Sequence, residues 1–256
     1  MIRYDYRSLE PYQALITVDA QGDYGIYYTR VTDNLITSFL SLRRRLGHSP
    51  PLPAILKSPS VRSIYNHLPF APNLSTPEYI PTRLLSLLRT LRKHFPRHRL
   101  LLSDFSTLPD AIPGVNAPVV QARVRGKAVA CSSLFVRPGL FDIFFPTHFG
   151  RLGDMYEHVL AQPRAGGDLP VAPSPLANSV SPLSIGAGFF SSFKPQNRRS
   201  PIDGVASSSG LPVGELKSNV FTHAEFMETY ADLERTRLKS GENPLVDYYK
   251  NVKFLF

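Results

Sequence analysis

The chain has 256 residues, enough for one large domain or two small ones. Its hydrophobic content of 43% fits a globular protein with a core, and its 24 prolines predict that part of the chain is loop. A single cysteine, Cys131, excludes an internal disulfide framework and a cysteine-rich zinc site. Because Cys131 lies in an apolar, strand-like run, we interpret it as a buried structural thiol rather than a nucleophile.

The formal net charge is +9, a balance that proteins binding nucleic acids or anionic membranes share. The positive charges are dispersed, and no aromatic platform or nucleic-acid motif accompanies them. We therefore favour a solvated basic face over a nucleic-acid surface, which would rest on charge alone. No apolar run reaches the ~18 residues of a membrane span. The first residues resemble neither a signal peptide nor an acid-poor presequence, since Asp5 and Glu10 come early.

The first part of the chain predicts a hairpin and a helix. A strand begins at Ile2, and residues 14–18 and 24–28 form a hairpin around a turn that contains Gly22. Thr32 or Asp33 caps a helix that runs to about Leu46 and ends at Gly47. The apolar residues at helical spacing are Leu35, Phe39, Leu42 and Leu46.

Residues 48–77 are predicted as proline-punctuated loop, followed by a helix from Pro77 to His94. Thr76 would cap this helix, and Glu78 would lie in its first turn. Its apolar stripe is Leu84, Leu87, Leu88 and Leu91. The unbroken apolar run at residues 100–102 then predicts a buried parallel strand of an α/β sheet, ended by Ser103 and Asp104.

The second half of the chain predicts further strands and helices around a long insertion. Strands at 119–124 and 127–131 flank a turn at Arg125-Gly126, and a strand at 141–145 precedes a helix from His148 to Leu160, capped by Thr147. Residues 163–217 are rich in Pro, Ser and Gly and are predicted as a disordered insertion. Its lone G-x-G at residues 186–188 follows no strand and opens no helix, so we do not assign it a dinucleotide.

After the insertion, Thr222 and Glu225 form a capping box that starts a helix to about Lys239, ended by Gly241. Asn243-Pro244 starts a last short helix, and residues 252–256 close the chain as a strand. The sequence therefore alternates helices and strands as an α/β domain does.

Few residues carry a chemical signal. Asp104 lies at a predicted strand end, where α/β sheets bind ligands, and could accept a hydrogen bond from a ribose, an amine or a guanidinium. It could equally cap the following turn. Asp142 begins a strand, which favours a structural role. The seven histidines show no metal-ligand spacing, and a zinc site is not predicted. A G-x-S-x-G elbow and a P-loop lysine are absent from the sequence.

Several strings resemble one family, the MidA-like S-adenosylmethionine-dependent methyltransferases, and in particular its fungal branch. The best match runs from His98 to Asp110, in the residues HRLLLSDFSTLPD. Other matches occur, in order, at residues 113–121, 141–147, 155–157 and 240–244, and the opening residues 2–5 resemble the stretch after the family's Asn-Glu-containing fourth strand. Together the strings cover most of the chain outside the insertion.

The resemblance implies the C-terminal portion of a Rossmann-like methyltransferase sheet with flanking helices. It implies S-adenosyl-L-methionine as cofactor and transfer to a protein arginine, in the assembly or stability of mitochondrial respiratory complex I. A complex I subunit would be the protein substrate, and a homo-oligomer is compatible with it. Asp104 and Phe105 are the cleft candidates, whereas the catalytic residues stay unknown and no metal is implied.

The resemblance also implies what this chain lacks. The family's glycine-rich cofactor loop, its ribose-binding acidic residue and its Asn-Glu motif would precede Met1, so we expect the chain to be inactive alone. We expect residues 1–160 to be the C-terminal part of the methyltransferase domain, 161–220 the insertion and 221–256 a helix and strand that complete the domain. The alternative is a non-catalytic binding module, a truncated relic that docks the family's partner.

Overall fold

The computed structural model describes residues 1–96, 98–109, 111, 118–162 and 218–256, without the side chains of Ile55 and Lys57. The described chain is a mixed α/β protein with three small sheets of three strands each. It divides into two compact units, one of residues 1–94 and 107–147 and the other of residues 95–106 and 148–256. The insertion predicted at 161–220 lies almost wholly outside the described residues, as does the G-x-G at 186–188. The division at 1–160 and 221–256 stays a prediction.

The first unit begins with an antiparallel sheet of β1 (Ile2–Tyr4), β2 (Pro11–Val18) and β3 (Tyr24–Arg30). The predicted hairpin is confirmed, and Gly22 takes a φ of +89° in its turn, which glycine adopts without strain. α1 (Asn34–Arg45) follows, and the Asp33 carboxylate accepts hydrogen bonds from the first free backbone N–H groups of the helix. Gly47 follows the end of α1 with a φ of +69°, as predicted.

The buried face of α1 differs from the predicted one by part of a turn. Phe39 and Leu42 are buried as expected, but Ile36 and Arg43 are buried in place of Leu35 and Leu46. Ile36 joins Ile2 and Tyr4 in the core of this unit. Arg43 can be buried because its charge is paired inside the fold, which periodicity of apolar residues alone does not reveal.

The predicted start of the next helix is wrong. Residues 77–80 are extended, and Glu78 forms a bridge with Ile2 through hydrogen bonds of 2.8 Å in both directions. α3 (Thr82–His94) begins only after Pro81, and its buried residues are Leu85 and Leu88 rather than the whole predicted stripe. The loop predicted at 48–77 also contains a 3-10 helix (Ala54–Lys57) and α2 (Pro59–Tyr65), which a proline at the first helical position initiates.

A second sheet of the first unit contains β5 (Val119–Val124), β6 (Lys127–Cys131) and β7 (Asp142–Phe144), in the order β6-β5-β7. All three predicted strands are present. The turn between β5 and β6 has positive φ at both central residues, +48° at Arg125 and +79° at Gly126, as a tight two-residue hairpin requires. Cys131 is half-buried rather than fully buried.

The second unit contains the sheet β4-β9-β8, formed by β4 (Leu102–Phe105), β9 (Val252–Leu255) and β8 (Val220–Thr222). The prediction of a buried parallel strand at residues 100–102 is wrong. β4 begins two residues later and pairs antiparallel with β9, and Leu101 is exposed. An apolar run fixes neither the pairing direction nor the burial of a strand, because both depend on distant segments.

Helices cover this sheet. α4 (Phe149–Ala161) contacts β8 and β9 and buries Phe149, Leu152, Met155 and Tyr156. Its N-cap is His148, whose ring accepts from the Arg151 N–H, and not the predicted Thr147. Ser218 joins the C-terminal segment to α4, because its N–H and hydroxyl both donate to the Glu157 carboxylate.

The helix predicted from Thr222 to Lys239 is interrupted. The capping box of Thr222 and Glu225 is present and starts α5 (His223–Tyr230), but Ala231 is extended and α6 (Leu233–Thr236) follows. The break lets the buried Asn243 amide donate to the Leu233 carbonyl at 3.0 Å. Asn243 also caps α7 (Pro244–Asp247), as predicted.

Candidate functional site

The carboxyl ends of β4 and β8 lie at the same edge of the second unit's sheet. Both strands run antiparallel to β9, which lies between them, so they are parallel to each other. Ligands of α/β sheets bind outside the carboxyl ends of parallel strands. We call this edge, formed by residues 104–106, 222–223 and 249–252, the carboxyl edge. It contains both cleft candidates predicted from the sequence.

Asp104 points into solvent at the end of β4, opposite Lys253 in the ladder. Its carboxylate accepts the Phe105 N–H at 2.7 Å, which is the contact expected of a residue that stabilises the following turn. Phe105 is half-buried, and next to it Ser106 donates from both its N–H and its hydroxyl to the Asn251 carbonyl, at 2.7 and 3.0 Å. The role of Asp104 and Phe105 in a cleft stays a prediction.

A histidine–tyrosine pair at the same edge was not predicted from the sequence. His223 is buried at the start of α5, and its Nδ1 donates to the Leu245 carbonyl at 2.7 Å. Since one ring nitrogen of a neutral histidine carries the proton, Nε2 is the acceptor when the ring is neutral. The Tyr249 ring lies 4.9 Å from the His223 ring, centroid to centroid. Tyr249 has a φ of +23°, a backbone conformation that costs free energy in a non-glycine residue.

A second pair lies at the other end of β4. His98 donates from Nδ1 to the Phe95 carbonyl at 2.5 Å, and the Tyr156 hydroxyl lies 3.2 Å from His98 Nε2. A carbonyl only accepts, so the geometry assigns the acceptor role to Nε2 and the donor role to the Tyr156 hydroxyl. Burial raises the pKa of Tyr156 to about 12. The phenol therefore stays protonated across the physiological range and holds His98 in one tautomer.

Within the described residues, no group of three or more His, Cys, Asp or Glu could hold a metal ion. The buried Nε2 of His158 has no hydrogen-bond partner there. His158 lies on α4, and the ring of His148 caps the start of the same helix. Asp142 is exposed at the first position of β7, where its role was predicted to be structural. No described helix is long and apolar enough to span a membrane.

Comparison with known proteins gives one match. Residues 47–165 match the model of a protein family described as "Putative S-adenosyl-L-methionine-dependent methyltransferase". This segment is a little under half of the chain, from the residue after α1 and its cap to a point just beyond α4. The cofactor of the matched family is S-adenosyl-L-methionine. No curated protein and no solved structure matches the chain.

The described residues do not fit this cofactor. A dinucleotide-like cofactor is seated where a glycine-rich turn joins a strand to a helix, because a backbone without Cβ lets the cofactor approach. The described glycines lie elsewhere. Gly22 and Gly126 are in hairpin turns, Gly25 lies in β3, and Gly139 lies in the turn before β7. Gly47 follows a helix, Gly241 lies in the turn before Asn243, and Gly150 and Gly153 belong to α4. A cofactor seat of that kind is therefore not formed by the part of the chain that the structure describes.

Proposed function

We propose that this protein takes part in the transfer of a methyl group from S-adenosyl-L-methionine to an arginine of a protein, in the assembly or stability of mitochondrial respiratory complex I. The observation that carries the proposal is the match of residues 47–165 to the methyltransferase family. The arginine, complex I and mitochondrial parts rest on the MidA-like strings of the sequence, above all residues 98–110.

The arrangement of the second unit supports a Rossmann-like origin. Doubly wound sheets are mostly parallel, but mixed sheets that include an antiparallel strand are common. β4 and β8 run parallel on either side of the antiparallel β9, as expected if β4-β9-β8 is the edge of such a sheet. In this proposal further parallel strands would continue the sheet beyond β4, and the carboxyl edge would form one wall of the cleft.

We place the cofactor's seat outside the described residues, because the described glycines line no strand-to-helix turn. In this proposal the carboxyl edge forms the wall of the cleft that faces the acceptor arginine. Asp104 and Phe105 are the residues of this wall that we expect to contact the acceptor arginine, because a carboxylate and an aromatic ring are the groups that bind a guanidinium best.

The test is the methylation state of complex I in cells that have lost the gene. Mass spectrometry of complex I peptides is expected to show a methylated arginine in normal cells and an unmethylated one in the deletion. Restoring the gene is expected to restore the methyl group, and cell fractionation to find the protein in mitochondria. An unchanged methylation pattern in every arginine-containing peptide of complex I would reject the proposal.

A second candidate is a non-catalytic module that docks the family's partner. The observation that favours it is the missing glycine-lined seat in the described residues. Calorimetric titration of the chain with S-adenosyl-L-methionine tests this module, which predicts no heat of binding. Micromolar binding would exclude the module. Where no binding is observed, loss of complex I arginine methylation in the deletion favours a part in methyl transfer over docking alone.

A further inference from the structure

The outer part of the β2–β3 hairpin extends beyond β1, and one of its side chains, Tyr24, stacks on Phe135 with the ring centroids 5.1 Å apart. β1 pairs with β2 only along residues 11–13, whereas the hairpin continues to the Val18–Tyr24 pair. We call residues 15–18 and 24–27 the hairpin arm. A two-stranded ribbon is marginally stable in water on its own, so an arm of this kind needs cover from elsewhere.

The arm exposes apolar side chains on both faces. Ile16 pairs with Ile26 and Val18 with Tyr24 on one face, and Leu15 pairs with Tyr27 on the other. All six side chains are between 42% and 63% exposed. Single exposed apolar residues are ordinary, but a contiguous group on one element marks an interaction surface.

The free edge of β3 adds main-chain hydrogen-bonding groups to this surface. Among the described strands, β3 pairs with β2 alone and lies at the edge of its sheet. Natural edge strands are usually protected by lysine, proline or an inward-pointing charge. Residues 24–29 contain none of these, and the charges of the hairpin lie in its turn, at Asp19 and Asp23, and at its base, at Arg30.

We propose that the hairpin arm is a dimerisation arm, in which β3 pairs antiparallel with β3 of a second copy of this chain. Closed dimers have two-fold symmetry. If one residue lies opposite a second residue of the other copy, the second residue therefore lies opposite the first in the same way. With Tyr27 on the axis, Ile26 lies opposite Tyr28 of the second copy, and Tyr24 opposite Arg30 of the second copy. The first pair joins apolar side chains, and the second places a guanidinium against an aromatic ring.

A second copy fits this edge better than a charged partner would. Two-fold pairing sets residues 24–30 of one copy against residues 24–30 of the other. Like charges within this segment would oppose the pairing, and residues 24–29 are uncharged. The six side chains expose roughly 100 Å² each, so two arms can remove at most about 1,200 Å² from water, the lower limit of a specific interface. We therefore expect a weak dimer, with a Kd of about 10 μM.

Cross-linking tests the register. In a Cys131→Ser background, Tyr27→Cys places two thiols across the axis, about 4.5 to 5.5 Å apart at Cα, within reach of a disulfide. Tyr24→Cys is the matched control, because symmetry-related copies of that position would lie about 20 Å apart. Oxidation is expected to give a covalent dimer from Tyr27→Cys only. Equal cross-linking of both variants, or none in either, would overturn the proposal.

Sedimentation tests the dimer without a new thiol. The unmodified chain is expected to pass from monomer to dimer as its concentration rises through about 10 μM. Ile26→Asp sets two carboxylates near the axis and is expected to weaken the dimer at least tenfold. Ile64→Asp, on an exposed position of α2, is expected to leave it unchanged. Circular dichroism establishes that both variants are folded. A chain that stays monomeric at about 100 μM contradicts a dimerisation arm.

Discussion

Arg43 of α1 binds Glu78 inside the first unit through a bidentate ion pair, with Nη1 2.9 Å from Oε2 and Nη2 2.7 Å from Oε1. The side chains are 6% and 14% exposed. Arg43 also donates to the Tyr4 hydroxyl at 3.0 Å, and burial raises the pKa of Tyr4 to about 12. Because Glu78 pairs with β1 through its backbone, this cluster joins α1, β1 and the segment before α3.

Removal of one partner of this pair is expected to be costly. Glu78→Gln leaves the Arg43 guanidinium buried without a counter-charge, which we expect to lower the free energy of unfolding by about 3 to 5 kcal/mol. Urea denaturation measures the loss. The double variant Arg43→Met with Glu78→Leu removes both charges and is expected to regain most of the stability. A double variant as unstable as the single one would show that packing, rather than the unpaired charge, sets the cost.

Tyr156 is expected to titrate at unusually high pH. A phenol with a pKa near 12 in the fold and near 10 in the unfolded chain binds its proton more tightly when folded. Its contribution to stability is complete below about pH 10 and is lost as pH rises through about 12. Tyrosinate absorbance of the folded protein is expected to show a late component near pH 12. Part of it should disappear in Tyr156→Phe, and the part due to Tyr4 should remain.

Two glycines of α4 are expected to respond in opposite directions to alanine. A Cβ at Gly153 would lie 2.9 Å from the Ser218 hydroxyl oxygen, which would have to move and weaken its bond to Glu157. A Cβ at Gly150 would meet only His148 ring atoms at ordinary contact distance. We expect Gly153→Ala to destabilise the protein by about 1 to 2 kcal/mol. Gly150→Ala should stabilise it by up to about 1 kcal/mol, because alanine favours a helix.

Thermal unfolding of the two glycine variants and the unmodified chain is the measurement. A stabilising Gly153→Ala would mean that the C-terminal segment does not pack on α4 as Ser218 indicates.

The variant Asp104→Ala tests whether Asp104 binds the acceptor in a cleft or only stabilises the turn after β4. The side chain is exposed, so Asp104→Ala is expected to cost no more than about 1 kcal/mol through the lost bond to the Phe105 N–H. If Asp104 also contacts the acceptor arginine, the same variant returned to gene-deleted cells should lower complex I arginine methylation at least tenfold. Asp142→Ala, an exposed strand-initial aspartate, is the control expected to have no effect. Normal methylation with Asp104→Ala would reject a contact between Asp104 and the acceptor arginine.

The sequence by itself determined the elements that depend on neighbouring residues. The hairpin at Gly22, the Arg125-Gly126 turn and the capping box at Thr222 follow from local geometry, because glycine conformations and side-chain caps act within a few residues. The cap of α1 is Asp33, one of the two candidates that the sequence offered. The strings at residues 98–110 also pointed to a methyltransferase, the family that residues 47–165 match.

Only the tertiary structure decided the pairings between distant segments. Glu78 looked like an acidic residue in the first turn of a helix, but its contacts with Ile2 and Arg43 keep residues 77–80 extended. Residues 100–102 looked like a buried parallel strand, but β9, some 150 positions further along the chain, sets the direction and the exposure of β4. Hydrogen bonds and burial between segments far apart in sequence outweigh local preferences, and no local pattern records them.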